Sequence, residues 1–236
     1  MSTKIQGARE RARGEITTAI KAEARRQLAA EGAARLSLRA VARELGLVSS
    51  ALYRYFPSRD DLLTALITDA YDAVGAAAEE ALAAAESMAD SHFARWQAVS
   101  RAVREWALEH PHEYALIYGS PVPGYSAPQS TTGPAARVGL VLFAIVRDAH
   151  DSGALRRPPR SPTAPEPVLR DAEALIAGLG VRLPAAVAVE LIAAWSQLSG
   201  LISFELFGQF TNVIEAREQF FAHAVDRLAD QVGLGG

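Results

Sequence analysis

The sequence contains no cysteine. That excludes disulfides, thiolate zinc centres and cysteine nucleophiles, and it suits a reducing, cytoplasmic compartment. The opening stretch MSTKIQGARERARGE carries charges but no apolar run, so no secretory signal is expected there. The chain also lacks G-x-G-x-x-G, the phosphate-binding G-x-x-x-x-G-K and H-E-x-x-H, and none of its serines sits in a nucleophile elbow. His110, His112 and Glu113 place two imidazoles beside a carboxylate. They follow a helical stretch broken at Pro111, where solvated histidines are the simpler reading. No metal, no other cofactor and no enzymatic activity are expected. Half of the 236 residues are hydrophobic, so the chain can build a sizeable core in one or two compact domains, and global disorder is excluded.

The net charge of −3 hides an asymmetry. Residues 1–66 hold 12 Lys/Arg against 7 Asp/Glu, a balance of +5, and the remainder carries −8. A basic head on an acidic body suits a DNA-binding end whose body is repelled by phosphate. Ten of the twelve head cations are Arg, whose forked guanidinium matches phosphate oxygens and the guanine edge.

Within the head, Leu36–Phe56 (LSLRAVARELGLVSSALYRYF) reads as two short helices around a tight turn. Ser37 is placed to cap the first, Val41 and Leu45 give it an apolar stripe, and Gly46 is placed to end it in the left-handed conformation. In the second helix Leu52 and Phe56 lie four apart on the buried side. Opposite them stand Ser49, Ser50, Ala51, Tyr53, Arg54 and Tyr55, hydroxyls and aromatics with one cation. This is the layout of a helix-turn-helix whose second helix enters a DNA major groove.

At these residues the chain resembles the TetR family of transcriptional regulators, through LSLRAVARELGL and SSALYRYFPSRDDLLTALI, over roughly residues 9–68. The resemblance implies a three-helix DNA-binding head and a helical body. It also implies phosphate contacts from Ser37, Ser49, Tyr53 and Arg59, and an arm near DNA that carries Arg9, Arg11 and Arg13. Arg39, Ser50, Ala51 and Tyr55 are the candidates for base edges, Ala51 against a thymine methyl. The family usually has Ser or Thr where this chain has Val48, so capping of the recognition helix is expected to pass to Ser49 or Ser50. Tyr55 replaces the more usual His.

A first helix is expected from about Arg9 to Glu31, with Ile16, Ala19, Ile20, Ala24 and Leu28 buried. Pro57 should end the recognition helix. Ser58 and Asp61 form a capping-box-like pair that opens a long helix through Val74. A further helix from Ser91 carries Phe93, Trp96, Val99, Val103 and Trp106, and Tyr114, Ile117 and Tyr118 continue in a short second piece. Ala135–Asp151 reads as a helix with Val138, Leu142, Ile145 and Val146 inward. Nine of the twelve prolines fall in Gly119–Pro134 and Gly153–Pro167, and the second of these reads as extended surface chain. Ala185–Phe207 is apolar enough to span a bilayer, but Glu190, Gln197 and Glu205 argue for a helix buried inside an oligomer instead. Its WSQLSGLISFELFG run resembles the C-terminal domain of some TetR-like regulators, named for a Trp-His-Gly pattern. Trp195 and Gly200 match, and Ser199 stands for the His. A last helix is expected over about Val213–Val232.

The expectation is therefore an all-α chain: a helix-turn-helix head at residues 1–68 and a helical ligand-binding and dimerisation body at 69–236. Its partners would be palindromic double-stranded DNA, a second copy of the chain and a small-molecule effector, with no membrane. Phe93, Trp96, Tyr114, Tyr118, Phe143 and Trp195 are candidates for a ligand pocket, although the same residue types would fill a bundle core. Ser196, Gly200, Ser203, Phe220, Phe221 and Leu228 are candidates for the dimer interface. The function expected is that of a repressor released by a largely apolar ligand. A dimeric DNA-binding regulator without an effector, and a small-molecule-binding protein with a vestigial head, are the alternatives.

Overall fold

The computed structural model describes residues 2–156 and 164–235, with side chains described from residue 10 onward. Helix accounts for 76 % of the chain, and among the described residues there is no strand, so the fold class is all-α. The chain forms two compact units, residues 1–71 with 110–132 and residues 72–109 with 133–236.

The first unit contains α1 (Ser2–Glu31), α2 (Leu38–Glu44), α3 (Ser49–Leu52), the start of α4 (Arg59–Ser87) and α6 (Pro111–Tyr118). α1 begins at Ser2, seven residues upstream of the expected Arg9, since no proline interrupts the chain there. Its buried Ile20, Ala24 and Leu28 join Leu38, Val41, Leu52, Phe56, Leu62, Leu63 and Leu66 in a single core. The Ser58 hydroxyl accepts from the Asp61 N–H at 3.1 Å and donates to its carboxylate at 2.7 Å, so both groups are satisfied at the opening of α4. Ion pairs tie α6 to this unit. Arg25 reaches Glu113 and Asp69, each at 2.8 Å, and Lys21 reaches Asp69 at 2.8 Å. The second Glu113 oxygen lies 3.2 Å from His110 Nδ1. The Tyr71 hydroxyl donates to the Ile117 carbonyl at 3.3 Å, and the rings of Tyr71 and Tyr114 pack against Tyr118. Burial pushes the Tyr71 and Tyr118 phenols above their ordinary value, so both stay neutral.

The second unit holds the rest of α4 with α5 (His92–Glu109), α7 (Thr132–Asp151), α8 (Glu166–Leu179), α9 (Ala185–Leu206) and α10 (Arg217–Val232). Trp96 of α5 is fully buried, and its indole N–H donates to the Val225 carbonyl of α10 at 3.2 Å. Val138, Leu142, Ile145 and Val146 of α7 are buried as their spacing predicts. Two elements differ from expectation. α8 stands where no helix was assigned. α10 starts four residues after Val213, since the backbone is still non-helical at Ala216 (φ −81°, ψ 61°), and Gly208 and Asn212 are left-handed (φ +80° and +61°) in the connection before it. Of the Pro-rich stretch Gly153–Pro167, residues 157–163 lie outside the described residues.

α9 is long and apolar enough to cross a membrane by length and composition, and 28 % of its most apolar window is buried. Its polar groups are nonetheless engaged. Glu205 accepts from Nε and Nη2 of Arg104, each at 2.7 Å. Gln231 of α10 donates to Glu190 and accepts from Gln197, both at 3.0 Å.

α7 is locked to α4 by Arg137. Its guanidinium forks onto Glu79 at 2.7 and 2.8 Å and also reaches the Asp72 carboxylate at 2.9 Å. These bonds hold the Glu79 carboxyl below its ordinary value. Between the two acids lies Gly75, where an added Cβ would stand 2.8 Å from Arg137 Cβ and Nε. Glycine inside a helix costs about 0.5–1 kcal/mol relative to alanine, so its use here leaves a notch through which the arginine passes. Gly75→Ala should therefore lower the melting temperature in the native chain, and by less in an Arg137→Ala background, which removes Nε and Cδ but keeps the Cβ at 2.8 Å. Thermal unfolding of the four proteins in that cycle measures the difference.

Candidate nucleic-acid interface

The recognition segment is held by backbone geometry at both ends. The Ala40 N–H donates to Ser37 Oγ at 3.4 Å, capping α2 as expected. At the other end Gly46 is left-handed (φ +65°). The Gly46 N–H bonds the Arg43 carbonyl at 3.1 Å and the Leu47 N–H bonds the Ala42 carbonyl at 2.8 Å, the paired closure of a Schellman motif.

α3 is a single turn that ends at Leu52, ahead of Pro57. Residues 53–55 continue as turn, and the Phe56 N–H still bonds the Leu52 carbonyl at 3.1 Å. The helical pitch is thereby kept long enough to bury both Leu52 and Phe56. One expectation is corrected here. Neither Ser49 nor Ser50 caps α3. The capping position is Val48, in extended geometry and with no side-chain bond. Ser49 and Ser50 fall inside the helix, where their hydroxyls are too far along to serve its first amides. The Ala51 N–H bonds the Val48 carbonyl at 2.8 Å instead.

Opposite the core, Ser49, Ser50, Tyr53 and Arg54 are exposed together, with Arg39 of α2 also exposed and Ala51 half-buried. Tyr55 is different. It is half-buried against the core, and the Arg13 guanidinium lies 5.3 Å from its ring centroid while also reaching the Arg54 carbonyl at 3.5 Å. Arg13 thus braces the end of the recognition segment, whereas Arg11 is exposed and the side chain of Arg9 lies outside the described ones. Arg59 is likewise turned inward. It donates to the Ala33 carbonyl at 2.8 Å and to that of Ala34 at 3.3 Å, which anchors the start of α4 to the short turn after α1.

The positions singled out in the body divide between the two units. Tyr114 and Tyr118 belong to the first, and Phe93, Trp96, Phe143 and Trp195 to the second. Trp96, Tyr114 and Phe143 are buried side chains. Of the interface candidates, Ser196 is exposed, Gly200, Ser203 and Phe220 are half-buried, and Leu228 is buried. Phe221 is buried within its own unit, with Arg104 5.2 Å over its ring. It serves the core rather than an outer face.

Comparison with known proteins decides the family. A model described as bacterial regulatory proteins of the tetR family matches residues 20–66. A second, described as a tetracyclin repressor-like C-terminal domain, matches residues 96–228. The chain belongs to the TetR family. It is 42 % identical over 205 residues to the HTH-type transcriptional regulator Rv1816 of Mycobacterium tuberculosis, covering 86 % of each chain. Among solved structures, SCO4313 is 33 % identical, with a TM-score of 0.71 over 94 % of this chain and 98 % of that one. RolR, solved in complex with resorcinol, shares the fold at 15 % identity, with a TM-score of 0.52 over 95 % of each chain. As a TetR-family member the protein is a DNA-binding transcriptional regulator, and its curated relatives are regulators rather than enzymes.

Proposed function

We propose that the chain works as a cytoplasmic homodimeric repressor, with residues 1–68 binding DNA and residues 69–236 pairing the two copies and receiving a small, largely apolar effector. The exposed cluster of Ser49, Ser50, Tyr53, Arg54 and Arg39 carries the DNA part of this reading. It offers hydroxyls and guanidinium groups on the outer side of a helix whose other side is core. Ser37, Ser49 and Tyr53 are the phosphate contacts, and Arg39, Ser50 and Ala51 face the bases. Arg59 and Tyr55 stand at the edge of this surface and hold its shape as well. Two such heads must lie about 34–36 Å apart to read successive major grooves of a palindrome.

Pairing is supported by a groove of about 510 Å³ along α9 and α10, lined by Gly200, Leu201, Phe204, Phe210, Phe220 and Leu228. Phe204, at 52 % exposure, and Phe210 and Phe220 form an edge-to-face ladder with centroids 5.7 and 5.4 Å apart. An aromatic row of this size open to water fits a second copy of the same helices. RolR's binding of resorcinol, in a protein of the same fold, supports an effector of small aromatic type. Such a ligand would favour one head separation over another and so change DNA affinity.

The test joins both parts. Phe204→Asp should convert the dimer to monomer in sedimentation equilibrium and abolish tight binding to a palindromic site. A screen of small aromatic and apolar compounds should find one that raises the melting temperature and releases DNA together. A Phe204→Asp protein that remains dimeric overturns the interface, and stabilisation without DNA release overturns the effector mechanism.

A further inference from the structure

Val48 is the residue to explain in the head. Among the described side chains, Val48 and Tyr53 are the only large hydrophobic ones in the first unit that are exposed, at 69 % and 42 %. They lie five residues apart, at the two ends of the recognition turn. Val48 occupies the capping position of α3 with φ −67° and ψ 137° and makes no side-chain bond there. A hydroxyl or carboxamide at such a position typically stabilises a helix by about 1 kcal/mol through a bond to a free N–H. The chain forgoes that bond and instead presents two methyl groups to solvent, next to the exposed hydroxyls of Ser49 and Ser50.

The cost of that choice is offset if Val48 has an apolar partner when the head is docked. In a helix-turn-helix the first residues of the second helix meet the base edges. The one apolar group that a base pair presents in the major groove is the thymine 5-methyl. A β-branched side chain also suits the contact, because its single preferred rotamer leaves little freedom to lose. We propose that Val48 is a specificity-determining residue that reads a thymine methyl group in each half-site, beside the hydrogen-bonding contacts of Arg39 and Ser50.

The inference rests on the reading of the head as a sequence-specific DNA binder, and the experiment separates the two. A preferred site is first selected from a random-sequence library. Each of its thymines is then replaced in turn by deoxyuridine, which removes only the 5-methyl group, and dissociation constants are measured for the native protein, Val48→Ala and Val48→Thr. The native protein should lose about fourfold in affinity per half-site at one symmetric thymine position, the value of one buried methyl-sized group. Val48→Ala should bind the unmodified site more weakly by a similar factor and be indifferent to deoxyuridine at that position alone. Val48→Thr, which keeps one methyl, should retain the sensitivity. Because Val48 is exposed, all three proteins should melt within a few degrees of one another. A deoxyuridine profile in Val48→Ala identical to that of the native protein overturns the Val48 contact and leaves the head's function standing. Failure to select any site overturns the reading beneath it.

Discussion

Replacing Ser50 with glutamate should lower affinity for a selected DNA site by about a hundredfold or more, since like charges brought together at a desolvated interface cost several kcal/mol. Ser50 is exposed at the start of α3, preceded by the exposed Val48 and Ser49. A carboxylate there would point at base edges and phosphates from a helix placed to approach them. Ser50→Ala removes only a hydroxyl and should cost severalfold, with relaxed preference at a single base position. Both variants should keep the melting temperature of the native protein, since neither side chain belongs to the core of Leu52, Phe56 and Val41. Electrophoretic or fluorescence titration against cognate and scrambled duplexes reads the difference. Binding of Ser50→Glu within a few-fold of the native value would place the DNA-facing surface somewhere else on the head.

Glu205→Ala should be the most destabilising single change at a charged residue, by about 3–5 kcal/mol. The side chains of Arg104 and Glu205 are only 12 % and 8 % exposed and meet in a two-pronged pair at 2.7 Å. The same guanidinium covers the Phe221 ring, so a single arginine of α5 holds both α9 and α10. The carboxylate's hydrogen bonds favour the charged form and hold the Arg104 pKa above its ordinary value. Without Glu205 that charge stays in place, partly desolvated and without its two-pronged partner, and only the more distant Glu218 and Glu105 offset it. Replacing both partners, as Arg104→Met with Glu205→Leu, removes the charge problem and should recover most of the loss. Urea unfolding of the four proteins in this cycle measures the coupling. If Glu205→Ala lies within about 1 kcal/mol of the native protein, the pair is better hydrated than its burial implies.

Much of this architecture is legible in the sequence because the signals are local. Gly46 is read as a left-handed helix stop, and its backbone closes the Schellman pair. Ser37 and the Ser58–Asp61 pair are read as caps, and both make the bonds their types allow. The inward set of α7 follows directly from its spacing. Other features depend on groups distant in the chain. Nothing near Gly75 in sequence tells of Arg137 crossing it sixty-two residues later, and nothing near Glu205 tells of Arg104. Phe221 carries the same pattern whether it faces a partner copy or the α5 arginine, so periodicity alone groups it with the wrong face. Arg59 reads as a phosphate contact, and Arg13 as part of an arm near DNA, through the family resemblance, whereas the carbonyls of Ala33, Ala34 and Arg54 that accept from them are not visible in a sequence. α8 is the plainest omission. Val168, Leu169, Ala172, Leu175, Ile176 and Leu179 keep helical spacing, but they follow the Pro-rich Gly153–Pro167, and the extended reading of that stretch leaves the pattern after it unread. The DNA surface lies between these cases. Its residue types are evident, but that Val48 itself holds the capping position and faces solvent is visible only in the fold.

The central claim is that the head reads DNA sequence. Selection of the full-length protein against a random-site duplex library, at two salt concentrations about fourfold apart, tests it most directly. The account predicts an enriched palindrome whose half-sites are centred about one helical turn apart, with affinity falling steeply with salt because several phosphates are contacted. Binding that falls with salt but enriches no sequence would contradict it, and would reduce the basic head to a non-specific anchor for the helical body.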